Sequence, residues 1–218
     1  MTAVQVSAQE LFRAAYENRY TWDHAFPGYT ADVTLTVDGE AFTGRAQVNP
    51  DMSAEVFDVT DEQAKKLIHG QLWETSIHRV RRTFEQTHGE NTFTYGNTDE
   101  SGAVEILMGG KAEGDRYQVK NNEVTLVHRH IHGTVVTINT FSTQKTEAGY
   151  LSHTYDSVYH DPKTGEQKGG KSEFEDSYEQ VGNYYILNRR VIRTEAHGKL
   201  STNEFVFSNI RLLEPKAA

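Results

Sequence analysis

Residues 31–48 read ADVTLTVDGEAFTGRAQV, two alternating runs around one Asp-Gly pair. Asp38-Gly39 readily takes the positive φ values of a two-residue hairpin turn, and such a turn sets the register of both arms. Leu35 then faces Phe42, with Val33 and Val37 on the same side, while Asp32, Thr34, Thr36 and Thr43 take the other. One face is buried and the other is wet. That is the pattern of an antiparallel sheet with a single apolar side.

The same signals continue along the chain. VTLVHRHIHGTVVTI (residues 124–138) turns at His132-Gly133, and HDPKTGE (160–166) turns through Pro162 and Gly165. A further turn near Gly182-Asn183 leads into YYILNRRVIRTE (184–195), and the chain closes with NEFVFSNIRLL (203–213). Two segments carry helix signals instead. Ser7 and Glu10 form a capping pair ahead of Leu11, Phe12, Ala15 and Tyr16. Thr60 and Gln63 repeat the device before a stripe of Ala64, Leu67, Ile68, Leu72, Ile77, Val80 and Phe84, which predicts a second helix of about six turns. Long antiparallel strands plus two helices predict an α+β protein, expected to be a single domain over residues 1–218.

A formal net charge of −9 opposes nucleic-acid binding through the phosphate backbone. The basic clusters Arg79, Arg81, Arg82 and Arg189, Arg190, Arg193 read as solvated faces, the first near a helix C-terminus where positive charge suits the macrodipole. No apolar run approaches the roughly 20 residues needed to span a bilayer. The N-terminal stretch has neither a basic opening nor an apolar signal core. Cysteine is absent, which removes disulfides, thiolate metal sites and thiol nucleophiles. These features together lead us to expect a cytoplasmic setting.

Residues 165–172, GEQKGGKS, match the phosphate-loop pattern G-x-x-x-x-G-K-[ST]. A working loop needs a buried parallel strand before it and a helix directly after it, so that backbone N–H groups converge on the phosphates. The preceding SHTYDSVYHDPKT is polar and alternating, and the following EFEDSYEQVG would set four carboxylates beside a triphosphate. The reading is a turn at Gly165, a bulge at Gly169-Gly170 and an exposed Lys171. Neither a nucleotide nor any other cofactor is expected.

His128, His130 and His132 alternate onto one side of a strand, about 7 Å apart per step. Two neighbours could share a metal, so His128 and His130 are the metal candidates, but the set lacks the acidic ligand of metal-binding cupin barrels and surface histidines are the default. The opposite side carries Val127, Ile131, Val136 and Ile138 with Arg129 among them, and is the better core. In SHTYDSVYHD, His153 and Tyr155 share one side while Asp156 lies on the other. These three are the residues to test if the protein is an enzyme, since acid–base chemistry needs groups that meet at a substrate.

The order of these parts resembles bacterial lipoprotein-localisation carriers of the LolA/LolB type. The likeness sits in the D-P-x-T-G turn, the later G-x-Y and the terminal F-S-N-I-R strand. It implies a strongly curved antiparallel half-barrel covered by an N-terminal helix and one long helix around an apolar cavity. Through AQELFRAAYENRYTW, GYLSHTYDSVYHDPKTGEQKGG and NYYILNRRVI, nearly the whole chain also resembles a domain-of-unknown-function family of cyanobacteria and chloroplasts, implying a cytoplasmic or stromal location in a photosynthetic organism.

The expected function is a non-enzymatic binding or carrier protein for a small apolar molecule, a lipid or pigment. Leu35, Phe42, Phe57, Leu72 and Trp73 are the candidate cavity lining. Two alternatives stand: an enzyme on the same scaffold acting on a small aromatic or pigment-like substrate, and an adaptor with a photosynthetic protein partner, anchored by exposed aromatics. Ligand identity and oligomeric state have no signature in the sequence.

Overall fold

A computed structural model describes residues 6–214. The elements in chain order are α1 (Ala8–Glu17), β1 (Tyr29–Val37), β2 (Glu40–Val48), β3 (Ala54–Phe57), α2 (Glu62–Arg79), α3 (Phe84–His88), β4 (Asn91–Thr98), β5 (Val104–Gly110), β6 (Arg116–Lys120), β7 (Glu123–Ile131), β8 (Thr134–Thr146), β9 (Gly149–His160), β10 (Gln167–Val181), β11 (Tyr184–Ala196) and β12 (Lys199–Leu212). The strands form one open antiparallel sheet in the order β3-β2-β1-β12-β11-β10-β9-β8-β7-β6-β5-β4. Consecutive strands pair with one another except β3 and β4, which end the order, and β12 returns to β1 and so places the last strand beside the first hairpin.

Turn chemistry sets the register. Asp38 and Gly39 take φ of 46° and 97°, and Leu35 pairs with Phe42. His132 and Gly133 take φ of 48° and 75°, which pairs His128 with Thr137 and His130 with Val135. Residues 165–172 form the end of the β9–β10 turn and the start of strand β10, so no helix follows them. Lys171 holds Asp156 at 2.8 Å.

The second helix differs from its expected form. Asp61, not Thr60, is its N-cap, accepting from the Ala64 N–H at 2.7 Å. It ends at Arg79, and Val80 turns extended to bridge to Trp22. Phe84 opens a separate short helix, α3, whose own capping box joins Thr83 and Gln86. A second strong cap four residues after Arg79 competes with helix continuation, because Thr83 satisfies N–H groups only at a new start.

The chain divides into two compact units. One comprises Met1–Tyr20 and Arg82–Ser172, the other Thr21–Arg81 and Glu173–Ala218. In the first, α1 and α3 cover β4 to β7. Phe12, Ala15, Tyr16 and Phe84 pack with Ile106, Met108, Tyr117, Val119 and Val124, and Val127 joins them on the side opposite His128. Buried His88 stands among the rings of Phe12, Tyr16, Phe84, Phe93 and Tyr117. In the second unit Trp22 stacks on Phe26 at 4.0 Å, with Tyr29 also fully buried. Val33, Leu35, Ala46, Val48, Phe205 and Phe207 supply its buried sheet face.

Candidate binding site under helix α2

Pairing across four strands builds one row on the buried face of the second unit. Arg190 on β11 pairs with Phe205 on β12, Phe205 with Leu35 on β1, and Leu35 with Phe42 on β2. A charged residue therefore ends an apolar row. Arg190 is only 5% exposed, and the carboxylate of Asp176 on β10, 1% exposed, meets it through two bonds of 2.8 Å and 2.6 Å. Helix α2 lies against the same guanidinium, with Gln71 accepting at 2.8 Å and Glu74 at 3.3 Å. The Tyr178 hydroxyl donates to Asp176 at 3.2 Å and accepts from Arg79 at 3.0 Å. Burial pushes the Tyr178 phenol up to about 12, so it stays a neutral donor.

Not every polar group here is satisfied. Among the described residues the hydroxyls of Thr75 and Ser76, two buried residues of α2, have no hydrogen-bond partner, nor does the buried Oδ1 of Asn188. Thr75 lies one turn from both Gln71 and Arg79, so its hydroxyl sits on the polar line of the helix that meets Arg190 and Tyr178. Ser76 follows Ile68 and Leu72 on the apolar line. Asn188 is two residues from Arg190 on β11 and so on its side of the strand. An orphaned buried hydroxyl costs about 1–3 kcal/mol, and native proteins carry few of them. Two such hydroxyls and one amide oxygen in the unit that also holds a buried ion pair make this the candidate site.

Of the expected lining residues, Leu35 and Leu72 are buried. Phe42 is half-buried at the far end of the row. The other two lie elsewhere. Phe57 pairs with Arg45, which puts it on the side of the sheet opposite Leu35, and it is 38% exposed. Trp73 is 55% exposed, because one residue along a helix is a rotation of about 100° and Leu72 already takes the buried side.

A family model for a protein of unknown function, DUF3386, matches residues 3–213. The chain belongs to the DUF3386 family. No curated protein matches it. Among solved structures it is similar to a domain from Vibrio parahaemolyticus described as an outer membrane lipoprotein-sorting protein, at 9% identity over 95% of this chain and 94% of that one, with a TM-score of 0.32. It is also similar to a chain of the Pseudomonas aeruginosa MucA/MucB complex, at 10% identity over 97% and 99% of the two chains, with a TM-score of 0.25. At these scores the likeness assigns no function.

In this DUF3386 chain the remaining candidates fall elsewhere. The His128 imidazole bonds Thr137 at 2.9 Å, and His130 meets Asp115 at 3.0 Å. The two rings stand 6.0 Å apart at 84°, and no metal-holding group of three His or acidic residues occurs among the described residues. Burial, then Arg116 and His130, lower the His128 pKa. Asp156 is buried against Lys171 and the Asn139 amide, both at 2.8 Å, so it is committed to structure. Tyr155 pairs with Thr140 and so lies on the side of β9 opposite Asp156, while His153 falls at a register shift between Thr154 and Ser152 where plain alternation breaks.

Arg190 was read from sequence as part of a solvated cluster, and burial corrects that reading. Arg189 and Arg193 do stay at the surface, Arg189 on Glu204 and Glu175 and Arg193 on Glu175. The signal was available: β11 carries an arginine on each side, flanked by Ile186, Leu187, Val191 and Ile192, so one of them had to face the apolar side.

Proposed function

We propose that this DUF3386 chain is a non-enzymatic binding protein that holds a small amphiphilic molecule between α2 and the sheet of its unit. The apolar body would lie along Leu35, Phe42 and Leu72, and a carbonyl or hydroxyl group would pair with Thr75, Ser76 and Asn188. The observation that carries this reading is the pair of buried, unpartnered hydroxyls on α2 beside the Arg190–Asp176 pair. Buried polar groups in native proteins are satisfied, and a bound carbonyl or hydroxyl would supply the bonds these groups lack among the described residues. Helix α2 is suited to open, since its buried side is only Ala64, Ile68, Leu72, Thr75 and Ser76. A lipid or pigment is the finer form of this proposal. The cyanobacterial or chloroplast setting, with a cytoplasmic or stromal location, also belongs to it and rests on the sequence resemblance alone.

Native mass spectrometry of protein purified from its source organism tests the reading. The expected result is a mass above the bare chain by one small molecule, lost when Ser76→Leu replaces the hydroxyl with a bulky apolar side chain. A bare mass, together with no blue-shifted emission from added anilinonaphthalene sulfonate, would reject it.

A further inference from the structure

The other face of the same unit carries a concavity of about 400 Å³, away from the row under α2. Its origin is a bulge in β12. Between the pairs Thr30↔Arg211 and Asp32↔Ser208 the register shifts, and Asn209 takes a positive φ of 51°. The bulge leaves Ile210 buried and turns Asn209 outward, where its amide donates to Asp32 Oδ2 at 2.6 Å. A bulge of this kind re-aims a side chain and locally opens the ladder.

Around the opening stand Arg211 and Asn209 from β12, Asp32 from β1, Arg45 and Gln47 from β2, and Phe57 from β3. The Arg211 guanidinium has no hydrogen-bond or ion-pair partner among the described residues. Arg45 gives only its Nε to Asp58, at 2.7 Å, and its terminal nitrogens are uncommitted among those residues. Gln47 spends its amide N–H on Asn49 at 2.6 Å, which keeps its carbonyl oxygen as an acceptor. Phe57 lies directly across from Arg45 and offers an exposed ring.

We propose that this groove binds a small aromatic carboxylate with a hydroxyl substituent. The two guanidinium groups offer several donors in the planar geometry that suits a carboxylate. Phe57 supplies a face for an aromatic ring, and Gln47 and Asp32 accept from the hydroxyl. The negative charge of Asp32 argues against a dianion such as phosphate, because like charges at short range oppose each other. The volume lies within the range of small-molecule sites. The site is independent of the one under α2, so either can fail alone.

The experiment uses isotope-labelled full chain and three probes: 4-hydroxyphenylacetate, acetate and inorganic phosphate. The expected result is saturable shifts of the Asn209 and Gln47 side-chain amide signals with the aromatic acid, and weaker binding of the other two. Arg211→Ala should weaken binding about tenfold or more, and Phe57→Ala should erase the preference for 4-hydroxyphenylacetate over acetate. Both positions are at the surface, and unchanged circular dichroism confirms the fold. No saturable shift at millimolar probe, phosphate binding as tight as the aromatic acid, or an Arg211→Ala chain that binds as before would each overturn the proposal.

Discussion

Arg190 and Asp176 are joined by two short charge-assisted bonds, at 2.8 Å and 2.6 Å, with both side chains almost wholly withdrawn from water. Such a pair gains Coulomb energy that roughly offsets its desolvation, whereas removal of one member strands the other. Arg190→Ala or Asp176→Ala is therefore expected to cost about 3–5 kcal/mol in urea unfolding. The double change Arg190→Met with Asp176→Leu should recover most of that loss. A single variant as stable as the parent would show that water already reaches the pair.

The hydroxyls of Thr75 and Ser76 make the opposite prediction. Replacing an unpaired buried hydroxyl with an apolar group removes a desolvation penalty, so Ser76→Ala and Thr75→Val should each raise the stability of the ligand-free chain by about 1 kcal/mol. The same changes should weaken uptake of an amphiphile. Lower stability in both would mean that these hydroxyls have partners in solution, and the case for the site would weaken with it.

His88 predicts a pH dependence in the first unit. Burial, reinforced by Arg129 and Arg19, lowers its pKa to about 4, and its Nδ1 lies 3.0 Å from the Asn91 amide nitrogen, a donor that requires an unprotonated ring atom. The unfolded chain binds the proton first, at its ordinary pKa near 6.5. Stability is thus full above about pH 6.5, falls as the pH drops towards 4, and changes little further on this account below that. The loss is on the order of 3 kcal/mol. His88→Phe should flatten this part of the urea-midpoint profile, and an unaltered profile would assign the effect to other groups.

Asp156 separates a structural carboxylate from a catalytic one. Burial opposes its ionisation, yet hydrogen bonds from Lys171 and Asn139, with the Lys171 charge, outweigh burial and hold its pKa below the usual value. A depressed carboxylate pKa gives stability above the unfolded value that fades as pH falls through the folded one. Asp156→Asn should lower the melting temperature at pH 7, with a smaller deficit in acid. Identical melting of Asp156→Asn and parent at neutral pH would remove Asp156 from the structural frame.

The strands and their turns were legible because their determinants are local. Asp38-Gly39 and His132-Gly133 carry the positive φ their turns need, and two-residue turns leave only one register for Leu35 with Phe42 or His130 with Val135. The capping box at Ser7 and Glu10 is equally local, its two members three positions apart. Alternation also separated Val127 from the histidines beside it. What short-range pattern left open was choice among distant partners. Whether Phe57 joined Leu35 depended on how β3 lands against β2, since a one-residue slip exchanges the faces.

The sequence by itself determined an antiparallel sheet with helices against it, since each turn, cap and alternating run is decided within a few bonds of the chain. Only the tertiary structure decided which arginine of NRR is buried, because Arg190 found Asp176 from another strand and Gln71 from a helix more than a hundred residues away. It also decided that the Thr75 and Ser76 hydroxyls would go under cover with no partner among the described residues. Burial of polar groups is a property of the assembled layers, where desolvation is weighed against partners that no local run of sequence contains.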